Sequence, residues 1–152
     1  MSQSGKAKPK SSALFWAIEL PNDAFEHDQV KQHLDANQQL IKLKKIHSTR
    51  LFTAGKYNPD EEFLKPFEGK KCKVVVDGFG HSDKALALRV KNVHIVGEEL
   101  EEEVPFFGVQ PHITMALKDG IAPKYSVDTL TGSGEIVEFD SVLELYGTVK
   151  RY

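Results

Sequence analysis

The chain has 152 residues, and its 20 lysines and arginines against 22 aspartates and glutamates give a formal charge of −2. A charge this close to zero argues against the broad basic surface that binds long nucleic acids through counterion release, although a local positive pocket stays possible. Hydrophobic residues make up 40% of the sequence, which is enough to fill the core of one compact domain and excludes wholesale disorder.

The sequence predicts neither a membrane span nor a disulfide. Its apolar runs are a few residues long, whereas a transmembrane helix needs about 20. Residues 1–12 lack the apolar stretch of a secretory signal, and a lone Cys72 cannot close an internal disulfide. We therefore expect an intracellular monomer without membrane contact, with a disordered Lys/Ser-rich tail over 1–12 and one domain over 13–152.

The first half of the domain is predicted to contain two or three strands and two helices. Strand-forming residues over 13–20 predict the first strand, and Asp23 is placed to cap a helix that ends near residues 34–37. Alternation over 40–53 predicts a second strand or two short ones. A proline at each end of residues 59–66 predicts a short helix there.

The second half is predicted to consist mainly of strands. Residues 71–77 and 84–90 predict a hairpin around a glycine-rich loop over 78–83. An acidic, solvated run follows over residues 98–103. After it, residues 109–117 predict a strand, residues 122–130 a helix, and residues 135–152 one or two further strands. Six or seven strands with three scattered helices predict an α+β domain rather than a doubly wound parallel sheet.

One tripeptide pattern occurs twice in this chain, as His-Ser-Thr at residues 47–49 and as His-Ile-Thr at residues 112–114. Each copy lies in a predicted strand, where side chains two residues apart point to the same face. If the two strands lie side by side, two imidazoles and two hydroxyls converge. Such a polar cluster is costly to bury on an apolar sheet unless it meets a ligand.

Two histidines and two hydroxyl donors are what hydrolysis of a phosphodiester needs without a metal. A neutral imidazole activates water and an imidazolium protonates the leaving oxygen, while the hydroxyls hold the nonbridging oxygens. Histidine suits both tasks because its ordinary pKa of about 6.5 lets both forms exist near neutrality. The residues alone leave a second interpretation open, in which the two histidines are unrelated structural residues.

The two motifs resemble the paired His-x-Thr signatures of the two-histidine (2H) phosphoesterase superfamily, and the resemblance covers about residues 13–152. It implies two pseudosymmetric lobes built from antiparallel sheets with flanking helices, with the active site in a groove between them. The stretches Leu40–Phe52 and Pro111–Leu117 are most similar to the branch of vertebrate 2′,3′-cyclic nucleotide 3′-phosphodiesterase and the cyclic phosphodiesterase domain of fungal and plant tRNA ligases. That branch opens a 2′,3′-cyclic phosphate to a 2′-phosphate.

The resemblance implies a role for six residues and no metal or cofactor. His112 would be the base that acts on water, and His47 the acid that protonates the departing 3′ oxygen. Thr49 and Thr114 would bind the phosphate through their hydroxyls, and Phe52 and Pro123 would stack on the base. The implied substrate is an RNA 2′,3′-cyclic phosphate end or a cyclic nucleotide. Two alternatives stay open: a nucleotide-binding or RNA-end-binding module without turnover, and a related enzyme acting on 2′–5′ linked oligonucleotides or ADP-ribose cyclic phosphate.

The sequence departs from the family pattern at two places. Arg50 stands where the family has a hydrophobic residue after the first threonine, and alternation predicts that it points away from the motif face into solvent. Gln110 stands where the vertebrate enzyme has an arginine, which affects substrate contacts more than the chemistry. Cys72 is predicted to be a small core residue rather than a nucleophile.

Overall fold

A computed structural model describes residues 13–97 and 102–152 and confirms the α+β class. Seven strands form one antiparallel sheet in the order β2–β6–β5–β4–β7–β1–β3. These strands are β1 Phe15–Leu20, β2 Leu40–Lys42, β3 Ile46–Phe52, β4 Lys71–His81, β5 Ala85–Ile95, β6 His112–Lys118 and β7 Glu135–Arg151. The tail predicted over 1–12 and residues 98–101 of the acidic run lie outside the described residues.

The helices are short, and the first one differs from its prediction. They are α1 Asp28–Ala36, α2 Glu61–Leu64 and α3 Tyr125–Asp128, with 3₁₀ turns over Asn22–Glu26 and Lys65–Phe67 and a π-helical turn over Thr129–Ser133. The capping role predicted for Asp23 is wrong, because α1 starts only after the extended His27. Phe25 and Val30 are both buried, and residues five apart lie about 140° apart on a helix. A bend between them lets both face the core.

The glycine-rich loop predicted over 78–83 is also wrong, because β4 runs on to His81 and the turn is confined to residues 82–84. The glycines serve strand packing here. A Cβ on Gly78 would collide with the carbonyl of Val137 in β7, next to an irregularity in the β4–β7 register. Glycine inside a strand therefore marks a close backbone approach in this chain rather than the end of the strand.

The core contains a buried polar pair that joins β1 to α2. Trp16 is 0% exposed, and its indole Nε1 donates a hydrogen bond to Oε2 of Glu61 at 3.0 Å. Glu61 is 3% exposed, and its other oxygen has no partner in the part of the chain that the structure describes. The carboxylate therefore depends on Trp16 for its hydrogen bond, because a buried polar group without a partner bears its full desolvation cost.

Trp16→Phe is expected to lower the free energy of unfolding by about 1–3 kcal/mol through the unpartnered carboxylate, in addition to a packing loss. Urea denaturation measures this change. The double variant Trp16→Phe/Glu61→Met, which removes the carboxylate as well, should be more stable than the single variant. A double variant less stable than Trp16→Phe would show that Glu61 stabilises the fold independently of the indole.

The two strands that carry the His-x-Thr motifs are neighbours in space. β3 and β6 share no ladder in the sheet order, yet their backbones approach each other. The backbone N–H of Leu43, three residues before β3, donates to the carbonyl of Met115 in β6 at 2.9 Å. The sheet therefore curls so that the motif strands lie side by side, which is the arrangement on which the convergence of the four polar groups depends.

Candidate functional site

A cavity of about 680 Å³ lies where β3 and β6 approach each other. All six residues with a role implied by the family resemblance line it: His47, Thr49, Phe52, His112, Thr114 and Pro123. The rest of the lining comes from Phe15, Leu43, Ala122, Lys124 and Val127. The size is within the range of small-molecule sites, and a mostly apolar wall with a few convergent polar groups is typical of them.

Strand alternation separates the polar residues of each motif from the core. On β3, His47 and Thr49 line the cavity, while the intervening Ser48 is fully buried on the other face. On β6, the two motif residues also line the cavity, and the intervening Ile113 is fully buried in the core. The period of two along each strand is therefore what aims an imidazole and a hydroxyl into the same space twice.

His112 is held in the tautomer that a general base needs. Its Nδ1 donates a hydrogen bond to the backbone carbonyl of Gln110 at 2.8 Å, because a carbonyl oxygen can only accept. In the neutral ring, Nε2 is then an acceptor. Burial lowers the pKa of His112, although the Gln110 carbonyl partly opposes that change. The imidazole is therefore neutral near pH 7 with a lone pair on Nε2, ready to accept a proton.

His47 lies in a column of aromatic rings. Its imidazole stacks on Phe15 with ring centroids 5.2 Å apart, and Phe15 stacks in turn on Tyr152 at 4.6 Å. Burial lowers the pKa of His47, and His112 lowers it further whenever His112 is protonated. Within residues 13–97 and 102–152, no group hydrogen bonds to its ring nitrogens. The stack thus positions the ring and leaves its polar edge free for a ligand.

The two motif threonines differ in their hydrogen bonding. The Thr114 hydroxyl lies 2.8 Å from the hydroxyl of the fully buried Ser126 on α3. If Ser126 donates, Thr114 keeps its own proton for a ligand. Thr49 is half-buried and has no such partner among the described residues, so its hydroxyl is free to turn toward the cavity. Ser126 was missed by the sequence analysis, because a single serine in a predicted helix carries no distinctive spacing.

The rim of the cavity contains the two residues of the predicted base-stacking pair and a lysine that the sequence analysis did not predict. Phe52 is the last residue of β3, and its side chain is 68% exposed. Pro123 and Lys124 are exposed in the segment before α3 and line the same cavity. An exposed ring beside an exposed proline offers flat apolar surfaces to a planar ligand, and Lys124 offers an ammonium to an anion.

Arg50 points away from the cavity, as alternation predicted, but the prediction that it is solvated is wrong. Only 2% of it is exposed. Its guanidinium donates to the carbonyl of Val104 at 2.8 Å and to that of Pro105 at 3.2 Å, and it lies over the ring of Phe106. Burial lowers the pKa of Arg50 to about 10. Arg50 thus ties β3 to the segment before β6 and supports the motif strand from behind.

Within the described ranges, the structure contains neither a candidate metal site nor an exposed thiol. No group of three or more His, Cys, Asp or Glu side chains there is arranged to hold a metal ion. None of the helices in those ranges is both long and apolar enough to cross a bilayer. Cys72 is fully buried, as predicted for a core residue, and burial raises the pKa of its thiol to about 11.

Comparison with known proteins supports the fold alone. No protein-family model matches the chain, and no curated protein matches it significantly in sequence. Among solved structures, a fungal RNA kinase superposes with a TM-score of 0.61 at 13% sequence identity. The match covers 95% of this chain and 47% of that one, so the chain spans about half the length of the structure it matches.

Proposed function

We propose that this protein hydrolyses a 2′,3′-cyclic phosphate to a 2′-phosphate, and that it belongs to the 2H phosphoesterases. The observation that carries the proposal is the meeting of both His-x-Thr motifs, from strands far apart in sequence, on one cavity. The likeness in fold to a protein described as an RNA kinase supports an RNA end as the substrate. In this proposal the two halves of the curled sheet act as the two lobes of the family, with the cavity as their groove.

The acid–base roles in this proposal are those that the family resemblance implies, and the hydrogen bond from His112 Nδ1 to the Gln110 carbonyl supports the role of His112 as base. His112 takes a proton from water on Nε2 while the water oxygen attacks phosphorus. The bond from phosphorus to the 3′ oxygen breaks, and protonated His47 gives its proton to that oxygen. His112 ends the reaction charged and His47 neutral, and exchange with solvent restores both. Acid–base catalysis of this kind contributes about 10²–10⁴-fold, and positioning must supply the rest.

Binding of the substrate uses the remaining walls of the cavity. Thr49 and Thr114 donate to the nonbridging oxygens and so hold phosphorus in line for attack. Phe52 and Pro123 take the base between them. Stacking on an aromatic face accepts any base, so this arrangement implies weak base selectivity. Lys124 adds a positive charge at the mouth of the cavity for the anionic substrate.

The first experiment is to incubate the purified protein with 2′,3′-cyclic AMP and EDTA and to separate 2′-AMP from 3′-AMP by chromatography. The expected product is 2′-AMP, formed at the same rate with and without EDTA. Accumulation of 3′-AMP would contradict the role of His47 as acid on the 3′ oxygen. Tight binding of the nucleotide without any product would favour the binding module, and cleavage of 2′–5′ linked oligonucleotides alone would favour the related enzyme.

The pH dependence of kcat/KM is expected to be bell-shaped with its maximum below about pH 6.5, the ordinary histidine value. Protonation of His112 abolishes the base and produces the acid limb. Deprotonation of His47 abolishes the acid and produces the alkaline limb. Both pKa values are lowered in the free protein, so both limbs move to lower pH.

The pH profile of kcat supplies the control for this prediction. A bound phosphate anion favours the charged form of each imidazole, so the kcat profile should lie at higher pH than the kcat/KM profile. Initial rates in a constant-ionic-strength buffer series measure both. An alkaline limb of kcat/KM at or above about pH 7.5 would contradict the lowered pKa of His47.

A further inference from the structure

A second cavity, of about 340 Å³, adjoins the catalytic cavity, and His47 forms part of the wall of both. Its other walls come from the end of β1, the segment before β3 and the end of the chain: Glu19, Leu20, Pro21, Asn22, Lys44, Lys45, Ile46 and Tyr152. Because the two cavities share the side chain of His47, a ligand that contacts His47 in the first cavity lies next to the second.

The second cavity is positively charged. Lys44 and Lys45 are exposed, and neither ammonium lies within 4 Å of a carboxylate of residues 13–97 or 102–152. Glu19 also lines the cavity, but its carboxylate already pairs with Lys150 at 2.9 Å and accepts from the Tyr152 hydroxyl at 3.0 Å. The hydrogen bond from Lys150 is the main cause of the lowered pKa of Glu19, and the charge of Lys45 is a smaller one. The two lysines are thus available to an anion.

The backbone that carries the two lysines is fixed in place. Asn22 donates from its side-chain amide to the carbonyl of Lys44 at 3.1 Å, which ties the segment before β3 to the end of β1. Ile46, the next residue after Lys45, is buried and begins β3. The lysine stems are therefore anchored at their backbone, so only side-chain freedom is lost when they bind a ligand.

In the proposed reaction, a nucleotide bound in the catalytic cavity has its 5′ side toward these lysines. In the proposed reaction His47 touches the 3′ oxygen, so the ribose lies against that imidazole. The base lies toward Phe52, which lines the same cavity and is the last residue of β3. Lys45 precedes His47 and lies at the opposite end of the strand. The ribose therefore has the base on one side and the second cavity on the other.

From this arrangement we propose that the second cavity binds the phosphodiester on the 5′ side of the terminal nucleotide, through Lys44 and Lys45. The preferred substrate is then the 3′ end of an RNA strand rather than a free mononucleotide. This inference rests on the proposed function, since the orientation of the ribose is taken from it. Two ammonium groups on a wall next to the acid match a singly charged phosphodiester, and they read the backbone without reading the base.

The test compares binding of a uridine pentamer that ends in a 2′-phosphate, which is the reaction product, with binding of 2′-UMP. Lys44→Ala/Lys45→Ala is expected to weaken pentamer binding about 10-fold. The slope of the logarithm of the binding constant against the logarithm of the salt concentration should fall by about one for each lysine that contacts a phosphate. The loss for 2′-UMP should be smaller. The matched control is Lys91→Ala/Lys118→Ala, which changes the net charge equally at two exposed lysines outside both cavities and should bind the pentamer as the wild type does.

The outcomes separate this inference from the proposed function. Unchanged pentamer binding in Lys44→Ala/Lys45→Ala, an equal loss in the control pair, or an equal loss for 2′-UMP would each overturn the subsite. Binding does not require turnover, so the subsite is tested even if the protein hydrolyses nothing. Hydrolysis of a pentamer ending in a 2′,3′-cyclic phosphate is measured separately, and its absence would overturn the proposed function alone.

Discussion

His112→Ala is expected to lower kcat for 2′,3′-cyclic AMP by about 10²–10⁴-fold, the range that general acid–base catalysis contributes. The Nδ1 of His112 donates to the Gln110 carbonyl, which fixes the tautomer of the neutral ring. The lone pair on Nε2 is therefore available to accept a proton. Without it, water must attack phosphorus without a base. KM should change by much less, because the threonine hydroxyls and the stacking surfaces are retained. Initial-rate kinetics with the purified variant measure both constants.

A matched histidine variant makes this result interpretable. His81→Ala removes an imidazole of β4 that lines neither the catalytic cavity nor its neighbour, so its kcat should equal that of the wild type. Urea denaturation of both variants shows whether the fold persists, because His112→Ala also leaves the Gln110 carbonyl without its partner. Near-wild-type turnover in a folded His112→Ala variant would remove the base from the mechanism.

Most strands, and the polar face of each motif, were predictable because they depend on strand periodicity, whereas the sheet order and the approach of β3 to β6 were not. A period of two places the histidine and threonine of each motif on one face, and the same alternation predicted that Arg50 points away from them. The sequence does not show what covers that opposite face. Residues 104–106 pack over it, so Arg50 is buried and hydrogen bonded to backbone carbonyls rather than solvated. A contact between segments this far apart in the chain leaves no local pattern.

The loop predicted at Gly78 is wrong, and the partner of His112 is not predicted, for the same reason: residue type alone does not show either contact. Glycine commonly marks a turn, so the sequence places Gly78 in a loop, whereas in the structure Gly78 lets the backbone of β7 approach closely. The partners of the site are equally hidden, since the Gln110 group that orients His112 is a backbone carbonyl, present at every position of the chain. Motif residues are visible from sequence because their side chains carry the chemistry. The groups that orient them need only be nearby.

The electrostatics of the site also depend on proximity rather than on residue type. Both motif histidines have lowered pKa values, chiefly because burial disfavours the charged form, and whenever His112 is protonated its charge lowers the pKa of His47 further. For a base this is favourable, since His112 stays neutral. For an acid it is unfavourable until an anion arrives. Bound phosphate favours the imidazolium form of His47, so substrate binding itself charges the acid.

His47→Ala is expected to lower kcat for 2′,3′-cyclic AMP by about 10²–10⁴-fold, as loss of a general acid should. A base and an acid are distinguished by the leaving group. A ribose oxygen is a poor leaving group and needs a proton, whereas p-nitrophenolate is stable as an anion. With bis(p-nitrophenyl) phosphate, His47→Ala should therefore lose much less activity, while His112→Ala should lose about as much as with the cyclic nucleotide.

The ratio of these losses decides which imidazole is the acid. Hydrolysis of the aryl diester is followed by the absorbance of p-nitrophenolate, with the His81→Ala variant as the control for both substrates. If His47 is the acid, the ratio of cyclic nucleotide to aryl diester activity falls in His47→Ala and stays constant in His112→Ala. The reverse pattern would exchange the two roles. If each variant instead lost the same factor on both substrates, neither imidazole would protonate the leaving oxygen. The stacked rings of Phe15 and Tyr152 would then position His47 to bind the substrate rather than to donate a proton.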